Sequence, residues 1–220
     1  MRLGTGIIGG VKKFPEVTGT SVGNSTGSLN RNYAAPLPAG IVAGEMLVLI
    51  VSGPFDVSAS GWTRLFAVNY SSSGFATLAC FYRIATGAEG ASASLTAVDP
   101  SIWATVAYRI KGATALEAGV GAGSVAAVAD PPALSPSWGA RKTLWIAAAA
   151  TASPGSRSVT GAPSGYSTLA AAMGSISTGS TVGIGAAWRQ RETATENPGT
   201  MALHASGVLN VANTIAVRPR

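Results

Sequence analysis

Charge is scarce in this chain. Of its 220 residues only 11% are Asp, Glu, Lys or Arg, less than half of the roughly 25% usual in a globular domain. Gly, Ala, Ser and Thr fill the difference. Little like-charge repulsion then opposes association, so a working life against another surface, and a homo-oligomer, are expected. Cysteine and histidine occur once each. Cys80 cannot form an intrachain disulfide, and within the apolar run Phe75–Ile84 it reads as a small buried hydrophobe. One His and one Cys do not make a zinc site of the usual ligand types. The nine acidic residues are dispersed, so no carboxylate pair of the glycosidase kind is visible. Neither metal nor cofactor is expected. No apolar stretch approaches the roughly 18 residues of a membrane-spanning helix, and no membrane partner is expected. Met1–Lys13 carries a short, Gly-broken apolar stretch followed by its basic pair, unlike a signal peptide, in which the basic residues come first.

What charge there is leans positive, with a net of +6 and a pI near 9.9. Arg64, Arg83, Arg109, Arg141, Arg157 and Arg189 lie singly between apolar runs. Release of counterions from nucleic acid needs several cations on one surface, and the sequence shows no such surface. Direct nucleic-acid binding is therefore not expected, and weak attraction to an acidic protein surface fits better.

The strongest organising signal is an internal repeat. Gly44–Ile50, Gly61–Leu65, Phe81–Arg83 and Thr105–Ile110 are echoed in order by Gly139–Ile146, Gly165–Leu169, Ala187–Arg189 and Thr214–Arg218. The offset drifts from 97 through 104 and 106 to 109, as insertions in loops would produce. Short apolar runs bounded by Gly, Pro and Ser are the pattern of sandwich strands. Within Trp103–Ile110, Ala104, Val106, Tyr108 and Ile110 share one face, which predicts a strand with one side buried. The alanine runs Leu144–Ala150 and Leu169–Met173 favour helix by propensity, yet they are short and closely bounded by breakers. The repeat pairs them with strands, so they are read as strands. Asp130–Pro136 resembles a linker, but Ala35–Gly40 is its counterpart, and both are read as one repeated loop. The expected fold is all-β: a jelly-roll-like antiparallel β-sandwich of about ten strands built from two degenerate repeats. Residues 1–35 form an extended N-terminal arm with a first weak strand, and residues 36–220 form one domain with pseudo-repeats at 36–112 and 113–220.

Two motifs imitate active sites. Gly4-Thr5-Gly6-Ile7-Ile8-Gly9 fits the dinucleotide fingerprint, but no strand precedes it and no βαβ unit is evident. Gly23-Asn24-Ser25-Thr26-Gly27 fits the nucleophile elbow, with His204 downstream; no helix follows Ser25, and His204 reads as a strand residue at an edge or interface. No catalytic residue is assigned. Trp62, Tyr82, Trp103, Trp138, Trp145, Tyr166 and Trp188 could include sugar-stacking platforms, although several fall at repeat-equivalent positions, which favours a role in the scaffold.

The Pro-x-Gly element with its following strand, Gly61-Trp62-Thr63, the run Tyr82–Glu89 and the closing Tyr108-Arg109-Ile110 resemble small β-sandwich structural proteins of tailed bacteriophages. The resemblance covers about residues 36–112. It implies a non-enzymatic virion component, assembled in the host cytoplasm, that decorates or cements the outer capsid surface. Its partner would be the major capsid protein or another virion protein. A carbohydrate-binding sandwich for host recognition is the alternative. Arg2, Lys12, Lys13 and Arg31 are the candidate attachment contacts to an acidic partner surface, against the plainer reading that they are solvated charges of an arm.

Overall fold

A computed structural model describes residues 13–53, 57–72, 75–154 and 157–220, and every regular element among them is a strand. The first half supplies β1 (Glu16–Asn24), β2 (Thr26–Gly27), β3 (Asn30–Pro36), β4 (Met46–Gly53), β5 (Val57–Ala59), β6 (Thr63–Ser71), β7 (Phe75–Ile84), β8 (Ser92–Ser101) and β9 (Ala104–Lys111). The second supplies β10 (Ala113–Ala118), β11 (Ala122–Ala126), β12 (Val128–Ala129), β13 (Arg141–Pro154), β14 (Val159–Gly161), β15 (Ala170–Ile176), β16 (Ser180–Thr193), β17 (Met201–Leu203) and β18 (Val208–Pro219).

One large sheet has the order β1-β9-β4-β7-β6 and the other β10-β18-β13-β16-β15-β2, with β11 also paired to β18. Two small sheets have the orders β3-β8-β5 and β12-β17-β14. With β2 and β11 set aside, each first-half strand in these sheets thus has its counterpart nine elements later. Apart from β2 and β15, neighbours in all four are antiparallel. The loops after β3 and after β12 both lead from a small sheet to a central strand of a large one.

Three cores separate four layers. The largest lies between the two large sheets, where Val48, Ile50, Val106 and Tyr108 meet Ile146, Ile184, Val211 and Ile215. A second lies between the first large sheet and its small partner, around Leu49, Val51, Phe81, Leu95 and Trp103. The third does the same in the second half with smaller residues, Ala147, Ala149, Val159 and Met201 among them. The large sheets are therefore covered on both faces. Trp103 and Ala107 are as deeply buried as Val106 and Tyr108, so β9 is not the one-sided strand that its alternation predicts. Strands buried on both faces read as continuous apolar runs, as β4 does.

The same burial explains why the alanine run is a strand. Gly183 and Gly185 of β16 leave no room for a Cβ: one would lie 2.5 Å from the Arg157 carbonyl, the other 2.6 Å from Val159. The small sheet rests directly on this backbone. Small residues such as Ala147 and Ala149 fit beneath it, and sheet hydrogen bonds on both sides of β13 override the modest helical preference of alanine.

Residues 1–35 read in sequence as an arm with a first weak strand; among those described, β1 pairs with β9 along its length and β3 with β8. Between β1 and β2 the chain crosses to the other half. The Ser25 N–H donates to the Trp103 carbonyl at 2.9 Å, the Ser175 N–H to the Ser25 carbonyl at 3.1 Å. There β2 runs parallel to β15.

Candidate functional site

Ionisable side chains are rare, so where the fold holds them is informative. At the end of β7, Arg83 lies over the Trp62 ring, 5.9 Å from its centroid, and 3.5 Å from Glu89. The Glu89 carboxylate, only 2% exposed, accepts from the Thr86 N–H, the Thr86 hydroxyl and the Gly87 N–H. Burial pushes its pKa up, but these donors together outweigh it and leave it below the ordinary value. On β16, Arg189 lies 4.8 Å over the Tyr166 ring and pairs with Glu196, whose side chain is fully buried. Tyr166 donates to the same carboxylate at 3.0 Å, and Arg191 stands 3.7 Å away. Burial first, and the Glu196 charge second, push the Tyr166 phenol up.

The two constellations share their turn. Gly61 and Gly165 have φ of 76° and 75°, a region closed to most other residues, and each turn closes with a 3.2 Å bond, Trp62 N–H to Ala59 and Tyr166 N–H to Pro163. Each cation–carboxylate pair fastens a loop: Glu89 closes 86–89, and Glu196 exchanges backbone bonds with Leu134. A third pair exists in the first half alone. Arg109 meets Glu45 at 3.2 Å and donates to the Ala39 carbonyl and to Thr18. Opposite Leu47 in the ladder stands Arg109; opposite Trp145 stands Ala216, buried with Trp145 and Leu134.

The ladder also refines the repeat. Arg83 faces Leu47 and Arg189 faces Trp145, so the first sequence offset of 97, which sets Leu47 against Leu144, is one residue short. A one-residue slip exchanges the two faces of a strand; Leu144 points into the central core, and Trp145 away from it.

Of the candidate attachment contacts, Arg2 and Lys12 lie outside the described residues, as does the Gly4–Gly9 motif. Lys13 is exposed just before β1, and Arg31 is exposed on β3, 3.9 Å from Asp99. The structure does not bring Lys13 and Arg31 together, for they flank opposite ends of the strands. Ser25 sits in the crossover, its hydroxyl accepting from the Trp103 N–H at 2.9 Å. His204 is exposed beyond β17, its backbone bonded to Ser158. Trp103 and Trp145 are buried, each indole donating to a backbone carbonyl.

Among the described residues the surface carries open clefts. One, of about 260 Å³, is lined by Val57, Ser58, Arg64, Thr96, Ala97 and Val98. Another, of about 450 Å³, is lined by Trp138, Ala140, Arg141, Lys142 and Glu192. The second was not foreseen: Trp138 and the Arg141-Lys142 pair are visible in sequence, but Glu192 joins them only because it faces Lys142 across β13 and β16. No family model, curated protein or solved structure matches the chain.

Proposed function

We propose that the chain is a non-enzymatic structural component of a bacteriophage virion, seated on the outer capsid surface through contacts with a shell protein. The observation that carries this reading is the doubled arginine–aromatic–carboxylate constellation. The best-held charges are spent on fastening loops, at the same place in each half, and neither constellation lines either of the two clefts described above. Two sandwiches welded through one shared core make a block suited to repeated docking, where symmetry multiplies a modest contact. The resemblance of residues 36–112 to phage sandwich proteins supplies the setting.

Gold labelling of tagged protein in purified particles of the encoding phage tests this. Label on heads is the expected result; its absence from particles overturns the reading. Trp138, half-buried in the larger cleft, is the aromatic a carbohydrate-binding alternative would use. Selective glycan binding abolished by Trp138→Ala would favour that alternative.

A further inference from the structure

The cations that are scattered in sequence are gathered by the topology. Strands β9 and β18 end, and β1 and β13 begin, at the same end of the sandwich. Glu16 is paired with Lys111, the Arg220 N–H donates to the Gly112 carbonyl at 2.8 Å, and the Gln190 amide donates to the Pro15 carbonyl at 2.7 Å. Phe14 lies at the centre of this end, with Lys142 at 5.9 Å from its ring and Gly112 beside its carbonyl. Lys13, Lys111, Arg141, Lys142, Arg218 and Arg220 therefore share one rim. Glu16 and Glu192 stand among them, and Glu117 lies beside it, bonded to Ser137 next to Trp138. Glu45, Glu89 and Glu196 are each paired with an arginine, so six cations against three carboxylates leave a net of three positive charges, half of the +6 of the whole chain. No ion pair with a described residue neutralises any of the six. At the opposite end, Arg31 is matched with Asp99, and the strands finish in residues such as Asn24, Gly53 and Ser180.

We propose that this basic end docks an acidic protein segment, whose carboxylates meet Lys111, Arg141, Lys142 and Arg220 and one of whose apolar side chains enters the Trp138 cleft. The Trp138 indole N–H is already donated to Thr143, so the ring offers that side chain an apolar wall. Glu16 and Glu192 favour a protein over a nucleic acid, because a row of phosphates would meet both carboxylates at close range, whereas a peptide can present both signs. The inference deepens the docking role proposed above by giving the partner surface its chemistry.

The test uses the full chain and a fluorescent Glu-rich peptide carrying one central Leu, compared with a short DNA duplex and with phosphatidylserine vesicles. Saturable peptide binding is expected, weakened about tenfold by the pair R141E and K142E, and likewise by K111E with R220E. T178E, in the exposed turn between β15 and β16 at the far end, should leave it unchanged. Trp138→Ala should weaken the Leu peptide but not its Leu-free analogue. Absence of peptide binding, equal loss in T178E, or tighter binding to DNA or vesicles overturns the proposal. Peptide binding by a protein missing from phage particles would overturn the virion setting and leave the acidic-segment site standing.

Discussion

Arg189 and Tyr166 share one carboxylate: the guanidinium lies 4.8 Å over the phenol ring while both groups bond Glu196, which water does not reach. Removing Glu196 leaves a largely buried cation and a phenol without their acceptor. Glu196→Ala should therefore lower stability by about 3 kcal/mol, read as a shift of the urea midpoint at constant slope. Tyr166→Phe, which removes one hydrogen bond, should cost about 1 kcal/mol. Equal losses in the two variants would show that the ion pair adds nothing.

Glu89 gives a pH dependence of known sign. Its folded pKa is depressed, so its contribution is complete above the ordinary carboxylate value of about 4.3 and is lost as pH falls through the lower folded value. Urea midpoints of the wild type should drop more steeply between pH 5 and pH 3 (order-of-magnitude bounds set by that value) than those of Glu89→Gln. Parallel curves would remove Glu89 from the acid limb.

At Gly174 the two halves touch backbone to backbone. A Cβ there would lie 2.3 Å from the Trp103 carbonyl oxygen and 3.1 Å from that of Ser25, both backbone atoms held by hydrogen bonds. Gly174→Ala should cost about 2 kcal/mol and raise amide exchange at Ser25 and Ser175. A neutral effect would mean that β15 moves freely against β9.

Tyr108 predicts a gain. Its hydroxyl is buried in the central core without a hydrogen-bond partner among the described residues, and burial pushes its pKa up. An unpaired buried polar group costs free energy that a ring of the same shape does not. Tyr108→Phe should stabilise the protein by about 1 kcal/mol, seen as a higher melting temperature.

Cys80 reports on the same core. It is fully buried, and burial raises its thiol pKa well above the ordinary value, which suppresses the reactive thiolate. The native protein should leave a disulfide reagent unreacted, and the thiol should titrate in step with urea unfolding.

The all-β class was legible because breakers bound every apolar run at strand length, and the alanine runs were placed in strands by their position in a recurring order rather than by propensity. The double burial of β9 was not legible: Trp103 and Ala107 occupy the face that alternation assigns to solvent, and only the small sheet lying over it makes that face interior. The same holds for the basic end. Lys13, Lys111, Arg141 and Arg220 are far apart along the chain, and strand direction alone brings them to one rim. Sequence pointed to Lys13 but paired it with Arg31, which the antiparallel order sends to the other end.

By itself, then, the sequence determined the strand vocabulary, the scarcity of charge and the recurrence of Gly–aromatic turns with arginine. These are local properties, set by backbone geometry and by the transfer of single side chains from water. Tertiary structure decided which faces are buried, which carboxylate each arginine receives, and where the remaining cations meet. Those are pair properties: they depend on register and strand direction, which no single stretch of this chain contains.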